Sequence, residues 1–432
     1  SANPPDTRFL QGVAAGLGDA QASVRRVAAE ALPNPPPELA QPLLQNLGDD
    51  DGPSRQAAAM ALGRLGAAAQ ESLLSALEDL CLERGALLGL GYLPGKPPVE
   101  ALRAYARRNV TQSVRYQDLA ASLAREAHVP AASATADTGY AAGERARLLS
   151  DSLLAKARQH ALNAFSALGL ITDRGSVALS IENLNSSDRS QRAYAMETLD
   201  GLNEPQLVRP LLPLWEPDGR GPTQPDVSWR DILCDPDAWL RACSAFYARD
   251  RMDDQTIPLL EQIAQSDPDE LVRQTAAWTL EGDQPMDTLQ TIPTMERVLF
   301  LQRVRLFANL TPVDLKQIAA VTRERLFQDG ETIALKGEPG DEMYIITSGE
   351  VRVLSESGVE LARRQPGDFV GEMAIISQQP RMATMVAIGQ VRTLCIGQKQ
   401  FEGILRERFE ISLAVMRELG ERLRQSSDRR VV

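Results

Sequence analysis

One pattern returns five times in the first two thirds of the chain: an acidic or turn residue, then a pair ending in arginine, then alanine and leucine at helical spacing. It runs from Asp19 through Val24-Arg25 to Ala28, Ala31 and Leu32, and 30 residues later as Ser54-Arg55 with Ala58, Ala61 and Leu62. Three further copies carry Gln191-Arg192 with Ala195 and Leu199, Leu240-Arg241 with Ser244, and Val272-Arg273 with Ala276 and Leu280; their arginines lie 49 and 32 residues apart. A repeat period between about 20 and 50 residues marks an array of supersecondary units, each too small to bury its apolar face alone. The Ala, Leu, Arg and Gln content of this region favours helix, and alanines three or four apart let neighbouring helices approach closely. Asp235-Pro236 and Asp267-Pro268 predict helix starts, with the carboxylate as N-cap and proline at the first helical position. The expected architecture is an α-solenoid of helical hairpins over 6–282, degenerate between Leu73 and Asn185.

On those five copies the region resembles the short HEAT-like repeat family. Arg25, Arg55, Arg192, Arg241 and Arg273 are expected to pair with an acidic residue or a helix-end carbonyl of the next repeat, rather than to form a basic ladder for a ligand. Two irregular stretches, 129–143 and 216–228, predict exposed loops. The glycines of Gly89-Leu-Gly91-Tyr-Leu-Pro-Gly95 imitate a phosphate loop, but no β-type run precedes them and a helix–helix turn is expected instead.

Composition removes several classes of function. Lys+Arg 46 against Asp+Glu 58 leaves a net charge of −12, which disfavours general nucleic-acid or anionic-membrane binding. With only two histidines, His128 and His160, a multi-histidine metal site is excluded and a histidine catalytic relay is not expected. Cys81, Cys234, Cys243 and Cys395 form no CxxC pair and predict reduced, mostly buried thiols of a cytoplasmic protein. No stretch approaches the roughly 20 apolar residues a membrane helix needs. The N-terminus, Ser1-Ala2-Asn3-Pro4-Pro5-Asp6, has neither a start methionine nor an apolar secretory core, as expected of a piece cut from a longer chain.

From about Glu296 the character of the chain changes. Thr311-Pro312-Val313-Asp314 announces a helix, with threonine as cap and proline and aspartate in the first turn. Short alternating runs then follow at 325–327, 331–333, 343–346 and 350–354, punctuated by Gly330, Gly337, Gly340, Gly349, Gly358 and Gly367. Closely spaced strands with glycine turns predict a compact β-barrel or jelly roll. An amphipathic helix from about Phe401 to Gln425 is expected to close it, with Leu405, Phe409, Leu413, Val415, Met416, Leu419 and Leu423 on or near one face. The expected division is a solenoid over 6–282, a linker over 283–297, a β-domain with flanking helices over 298–425 and a tail over 426–432.

Within the β-domain, Gly367 to Thr384 (GDFVGEMAIISQQPRMAT) carries the chemistry. A glycine at 371 lets backbone approach a ligand, and a helical turn starting near Glu372 presents free N–H groups to an anion. Arg381 supplies a forked cation for phosphate oxygens, with room beside the small Ala383 and Thr384. Glu372 should repel a phosphate, so its role is either to accept from a sugar hydroxyl or to hold Arg381.

Gly371-Glu372-Met373-Ala374, six residues, then Arg381-Met382-Ala383-Thr384 resemble the phosphate-binding cassette of cyclic-nucleotide-binding domains, the family of protein kinase A regulatory subunits and catabolite activator proteins. Phe327 to Ile333 and Gly337 to Val351 match its β-roll pattern, so the resemblance covers about Val298 to Arg424. It implies that Glu372 takes the ribose 2′-hydroxyl and Arg381 the cyclic phosphate, with backbone N–H groups of Gly371, Met373, Ala374 and Ala383 completing the shell. Met382 stands where cyclic-GMP-selective members often carry a threonine, which puts cyclic AMP ahead of cyclic GMP. The family also closes a C-terminal helix over the base; here one long helix follows the β-roll.

A helix-turn-helix after that helix is not expected, and no kinase, cyclase or phosphodiesterase motif is read in the sequence. The expected function is therefore a nucleotide sensor coupled to a helical-repeat interaction domain, not an enzyme, with no cofactor beyond the nucleotide. The segments Ala161–Leu170, Tyr194–Asp200 and Leu211–Trp215 resemble the cytoplasmic part of bacterial membrane proteins similar to ATP/ADP translocases. That implies either a protein partner on the solenoid surface or a covalently linked membrane domain, and placement at the cytoplasmic face of a membrane. Nucleic acid is not expected as a partner, and a homodimer is compatible with the sequence. The rival reading is a non-sensing scaffold whose β-roll serves docking or dimerisation.

Overall fold

The computed structural model describes residues 7–31, 33–49, 51–95, 98–127, 142–186, 188–216, 228–281, 292–308, 310–407, 411–413, 415–417 and 420. The expected loops at 129–143 and 216–228, most of the linker, the tail and much of the closing helix lie outside these residues, apart from a residue or two at the loop edges. By packing, the chain divides into two compact units: Ser1–Asp118 with Lys156–Gln224, and Leu119–Ala155 with Pro225–Val432.

Helices precede strands along the chain. They are α1 (Thr7–Leu17), α2 (Ala22–Glu30), α3 (Ala40–Gln45), α4 (Gly52–Arg64), α5 (Ala67–Ala76) and α6 (Glu83–Tyr92). Two long helices follow, α7 (Val99–Ala127) and α8 (Ala142–Ile171), and the division between the units falls inside both. Then come α9 (Arg174–Leu184), α10 (Arg189–Asp200), α11 (Pro205–Val208), α12 (Ala238–Tyr247), α13 (Thr256–Ser266), α14 (Glu270–Leu280), α15 (Thr294–Arg303) and α16 (Pro312–Val321). Gly89 and Gly91 lie inside α6, which accounts for them without a phosphate loop.

The recurring motif is an entry turn. In every copy the arginine donates through Nη1 to the main-chain carbonyl six residues upstream: Asp19, Asp49, Ser186, Asp235 and Asp267, at 2.5–2.8 Å. The side chain of that upstream residue accepts the N–H two positions further on, at Gln21, Asp51, Asp188, Asp237 and Asp269. The helix caps are therefore Asp237 and Asp269, with α12 and α14 starting at Ala238 and Glu270, two residues later than the Asp-Pro pairs suggest. Asp235 and Asp267 shape the turn before the cap. The predicted tie to the next copy holds as a fork in two places. Arg25 donates from Nε and Nη2 to Asp49 at 2.6 and 2.8 Å, and Arg241 to Asp267 at 2.8 and 2.9 Å.

These forks make stability depend on pH. The Arg25 hydrogen bonds hold the Asp49 carboxyl below its usual range. Burial pushes Asp267 up, but its bonds from Arg241 and the Asp269 N–H outweigh that and leave it low. A carboxyl whose folded pKa is depressed contributes fully above its unfolded value, about 3.9, and loses that contribution as pH falls through the folded value. Urea midpoints measured from pH 7 to pH 3 should fall on acidification. The Asp49→Asn/Asp267→Asn variant, which keeps the turn acceptors, should start lower at pH 7 and fall less steeply below pH 4. A parallel fall would remove these two carboxylates from the account.

In the second unit, α16 opens on the expected capping box: Thr311 Oγ1 accepts the Asp314 N–H, and the Asp314 carboxylate accepts the Thr311 N–H. Six strands follow: β1 (Arg323–Phe327), β2 (Thr332–Ala334), β3 (Glu342–Leu354), β4 (Glu360–Arg364), β5 (Phe369–Val370) and β6 (Thr384–Gly397). All pair antiparallel, in the order β1-β6-β3-β4, with β2 on β6 and β5 on β3. Phe327, Ile333, Tyr344, Ile346, Val370 and Val391 are among the residues filling one face. Met343, Ile345, Leu394 and Ile396 are buried on the other, so β3 lacks the simple alternation of a half-exposed strand. Helix α17 (Glu372–Ser377) packs on β3, and α18 (Gln398–Glu407) packs on β6 through the buried Phe401.

Helices of this unit also bond to the β-domain. Glu324 on β1 accepts from buried Arg392 at 3.0 Å and from the Ile292 N–H at 2.8 Å, and Arg297 on α15 donates to the Thr322 carbonyl at 3.0 Å. Arg303 on α15 pairs with Glu144 on α8, and Lys316 on α16 lies 5.6 Å from the Trp239 ring centre on α12. Of the four unpaired cysteines, Cys243 and Cys395 are buried, their thiols pushed up by burial to about 12 and about 11. Cys81 and Cys234 are exposed, contrary to the expectation of mostly buried thiols; Cys81 lies in the turn before α6, and Cys234 is the last residue of the 3-10 helix Trp229–Cys234.

Candidate functional site

Strand β5 delivers the chain to the site, registered on β3 by Tyr344 opposite Val370. Gly371 follows in the left-handed region at φ +87°, and α17 begins at the next residue. A Cβ at 371 would stand 2.4 Å from Arg381 Nη1, so glycine is required both for the turn and for the arginine's approach. The first N–H groups of α17 have no intrahelical acceptor, and Glu372 occupies its first turn. The helix ends at Gln378, the non-glycine with positive φ (+54°) among the described residues.

Arg381 is pinned at both backbone and side chain. Its N–H donates to the Glu338 carbonyl at 2.8 Å, and its carbonyl accepts from Gly337 at 2.9 Å, fixing the cassette to the turn between β2 and β3. Arg381 as a whole is 4% exposed; its Nη1 donates to the Gly371 carbonyl at 3.1 Å and Nη2 to the Glu342 carbonyl at 2.6 Å. It lies 5.5 Å from the Tyr344 ring centre. Burial raises the Tyr344 hydroxyl above its usual range, with the Arg381 charge opposing.

The sequence singles out eight residues, and the fold gathers them around this arginine in different environments. Glu372, Ala374 and Ala383 are buried with it; Met373 is 38% exposed and Met382 68% exposed. Thr384 starts β6 opposite Leu354 and accepts the Lys336 N–H at 3.2 Å. Main-chain carbonyls of Gly371 and Glu342 hold the guanidinium, and Glu372 is buried in the first turn of α17. Sequence reasoning missed Glu338, Glu342 and Tyr344. The first two act through backbone carbonyls, which leave no mark in residue type, and Tyr344 has the pattern of an ordinary strand residue.

A family model described as "Cyclic nucleotide-binding domain" matches residues 324–408. The C-terminal region is a cyclic nucleotide-binding domain. Among solved structures, the chain is similar to the regulatory domain of Toxoplasma gondii PKA with cAMP: 26% identity, 30% of this chain and 50% of that one covered, TM-score 0.28. It is also similar to the Thermus thermophilus Catabolite Activator Protein: 26% identity, 28% and 60% covered, TM-score 0.27. A third is the N-terminal domain of a transcriptional regulator from Streptomyces coelicolor A3(2): 32% identity, 30% and 92% covered, TM-score 0.26. The chain thus spans about half the length of the PKA regulatory domain it matches. Within the cyclic nucleotide-binding domain the matched segment contains all eight cassette residues and the three that hold Arg381. No helix among the described residues is long and apolar enough to cross a membrane.

Proposed function

We propose that the chain is a cyclic-nucleotide receptor, not an enzyme, which takes cyclic AMP in preference to cyclic GMP and needs no further cofactor. The observation that carries this reading is the buried Arg381 beside the left-handed Gly371, at the start of a helical turn whose first residue is the buried Glu372. A guanidinium has five N–H donors and Arg381 gives two to protein carbonyls, so donors remain for a cyclic phosphate. First-turn N–H groups of α17 would share that charge, and Glu372 would accept from the ribose 2′-hydroxyl. Met382, with no hydroxyl, offers guanine nothing in place of a threonine.

Coupling would run through the helices of the same compact unit. Gln398 of α18 donates to Glu402 at 2.8 Å, and Glu402 also accepts from Gln378 at the end of α17, at 3.5 Å. Helices α15 and α16 in turn reach α8 and α12 through Arg303–Glu144 and Lys316–Trp239. Nucleotide shifts such an arrangement only as far as it binds the two states unequally. The repeated entry turns support reading the helical region as a HEAT-like solenoid that binds a protein or continues into a translocase-like membrane part at its cytoplasmic face.

The test is calorimetric titration of the full chain with cyclic AMP, cyclic GMP and 2′-deoxy cyclic AMP. Cyclic AMP should bind best, and the deoxy analogue about tenfold or more weaker. Glu372→Gln should shrink that gap. Absence of binding to every nucleotide would replace this reading with the scaffold one, which is favoured by the inward engagement of Arg381 with its own backbone.

A further inference from the structure

The first compact unit holds a cavity of about 340 Å³ between α4, α6, α8 and α9. That volume lies in the range of small-molecule sites, about 300–1,000 Å³. Leu87, Leu162, Leu170, Val177 and Ile181 make its apolar wall. Three guanidinium side chains line it, Arg55, Arg84 and Arg174, and among the described residues no carboxylate does. In a chain of net charge −12 this is a local reversal of sign.

The three arginines are held to different degrees. Arg55 donates to the Asp49 carbonyl within its entry turn. Arg174 donates to the Gly91 carbonyl and lies 5.1 Å from the Tyr92 ring centre, which fixes its direction. Arg84 is exposed and has no hydrogen-bond or ion-pair partner among the described residues.

The floor is polar and rigid. Asn163, 4% exposed, lines the cavity, donates to Glu83 at 2.8 Å and accepts from Gln159, another lining residue, at 2.9 Å. Glu83 in turn accepts from the buried Tyr105 hydroxyl at 2.9 Å, and burial pushes the Glu83 carboxyl above its usual range. An apolar wall, a preorganised amide floor and a cationic rim together select a ligand with a hydrocarbon body and an anionic end.

We propose that this cavity binds a medium-chain alkyl anion, with its chain against Leu162, Leu170 and Val177 and its carboxylate or phosphate at Arg84 and Arg174. The site is independent of the nucleotide cassette, and the reading does not depend on cyclic nucleotide being bound there. The hydrocarbon and the charge contribute together, so neither half alone binds well.

The test is titration of the full chain with decanoate, decyl phosphate, decanol and acetate below any micellar concentration, each repeated with Arg381→Ala. Decanoate or decyl phosphate should bind at micromolar concentration and at least tenfold more tightly than decanol, with acetate silent. The better of the two anions tells a free fatty acid from a phosphate-headed lipid. Arg84→Ala/Arg174→Ala should weaken the anion at least tenfold without weakening decanol, and Ala178→Trp, on the cavity wall, should block both. Arg381→Ala should change none of these values. Equal binding of decanol and decanoate, indifference to the arginine pair, or no binding by either anion below millimolar would overturn the proposal.

Discussion

Arg381→Ala should weaken cyclic AMP binding by about tenfold to a hundredfold, the effect of losing one or two hydrogen bonds of about 1.5–3 kcal/mol to a charged group. The same substitution leaves the Gly371 and Glu342 carbonyls without their donors, which should lower the stability of the domain by about 1–3 kcal/mol. The two effects separate with Arg381→Lys. Lysine keeps the positive charge but cannot fork between two carbonyls and a phosphate, so binding should remain well below wild type. Arg363→Ala removes an exposed arginine of β4 and should leave affinity unchanged. Calorimetry with thermal unfolding on all three variants reads both quantities. Wild-type affinity in a folded Arg381→Ala protein would place the nucleotide elsewhere.

The largest stability loss is expected at a position with no ligand role. Gly349, at φ +78°, sits where the β3–β6 register shifts, and a Cβ there would stand 2.4 Å from the Gln390 carbonyl oxygen and 2.9 Å from Val391 Cα. These are backbone atoms of the partner strand and cannot swing aside. Gly349→Ala combines a left-handed conformation, about 1–2 kcal/mol, with a clash of about 1–3 kcal/mol. It should lower Tm by roughly 10 °C, by about 2–4 °C per kcal/mol for a unit of this size. Gly358→Ala, at the same φ with nothing within 4 Å of the added methyl, isolates the conformational part and should cost less than half as much. Equal losses in the two variants would mean that β3 and β6 part easily at this point.

The cassette was legible because its chemistry is local. Gly371, Glu372 and Arg381 stand within eleven consecutive residues, and each residue type has few other reasons to occur in that order. The acceptors that orient Arg381 were not legible, since any residue offers a carbonyl and only the fold decides which ones face the guanidinium. Helix starts slipped by two residues in α12 and α14 for a related reason. Asp-Pro-Asp presents two carboxylates with equal claim to the cap, and the arginine six residues beyond the first one decides between turn and cap. Composition marks a change of character near Glu296, whereas packing groups 119–155 and 225–281 with the β-domain. Contacts such as Arg303–Glu144 join residues far apart in the chain, and no window of sequence displays them.

Asp49 and Asp267 each serve two neighbours. Each closes the turn at the head of its own helix, and each receives the fork from the helix of the preceding copy. Opening either turn therefore releases two helices at once, α2 with α4 in one case and α12 with α14 in the other. Partial unfolding should then proceed in steps two helices long, with the amides of each pair exchanging with solvent at a common rate, and the smallest piece able to come and go independently is a pair of repeats.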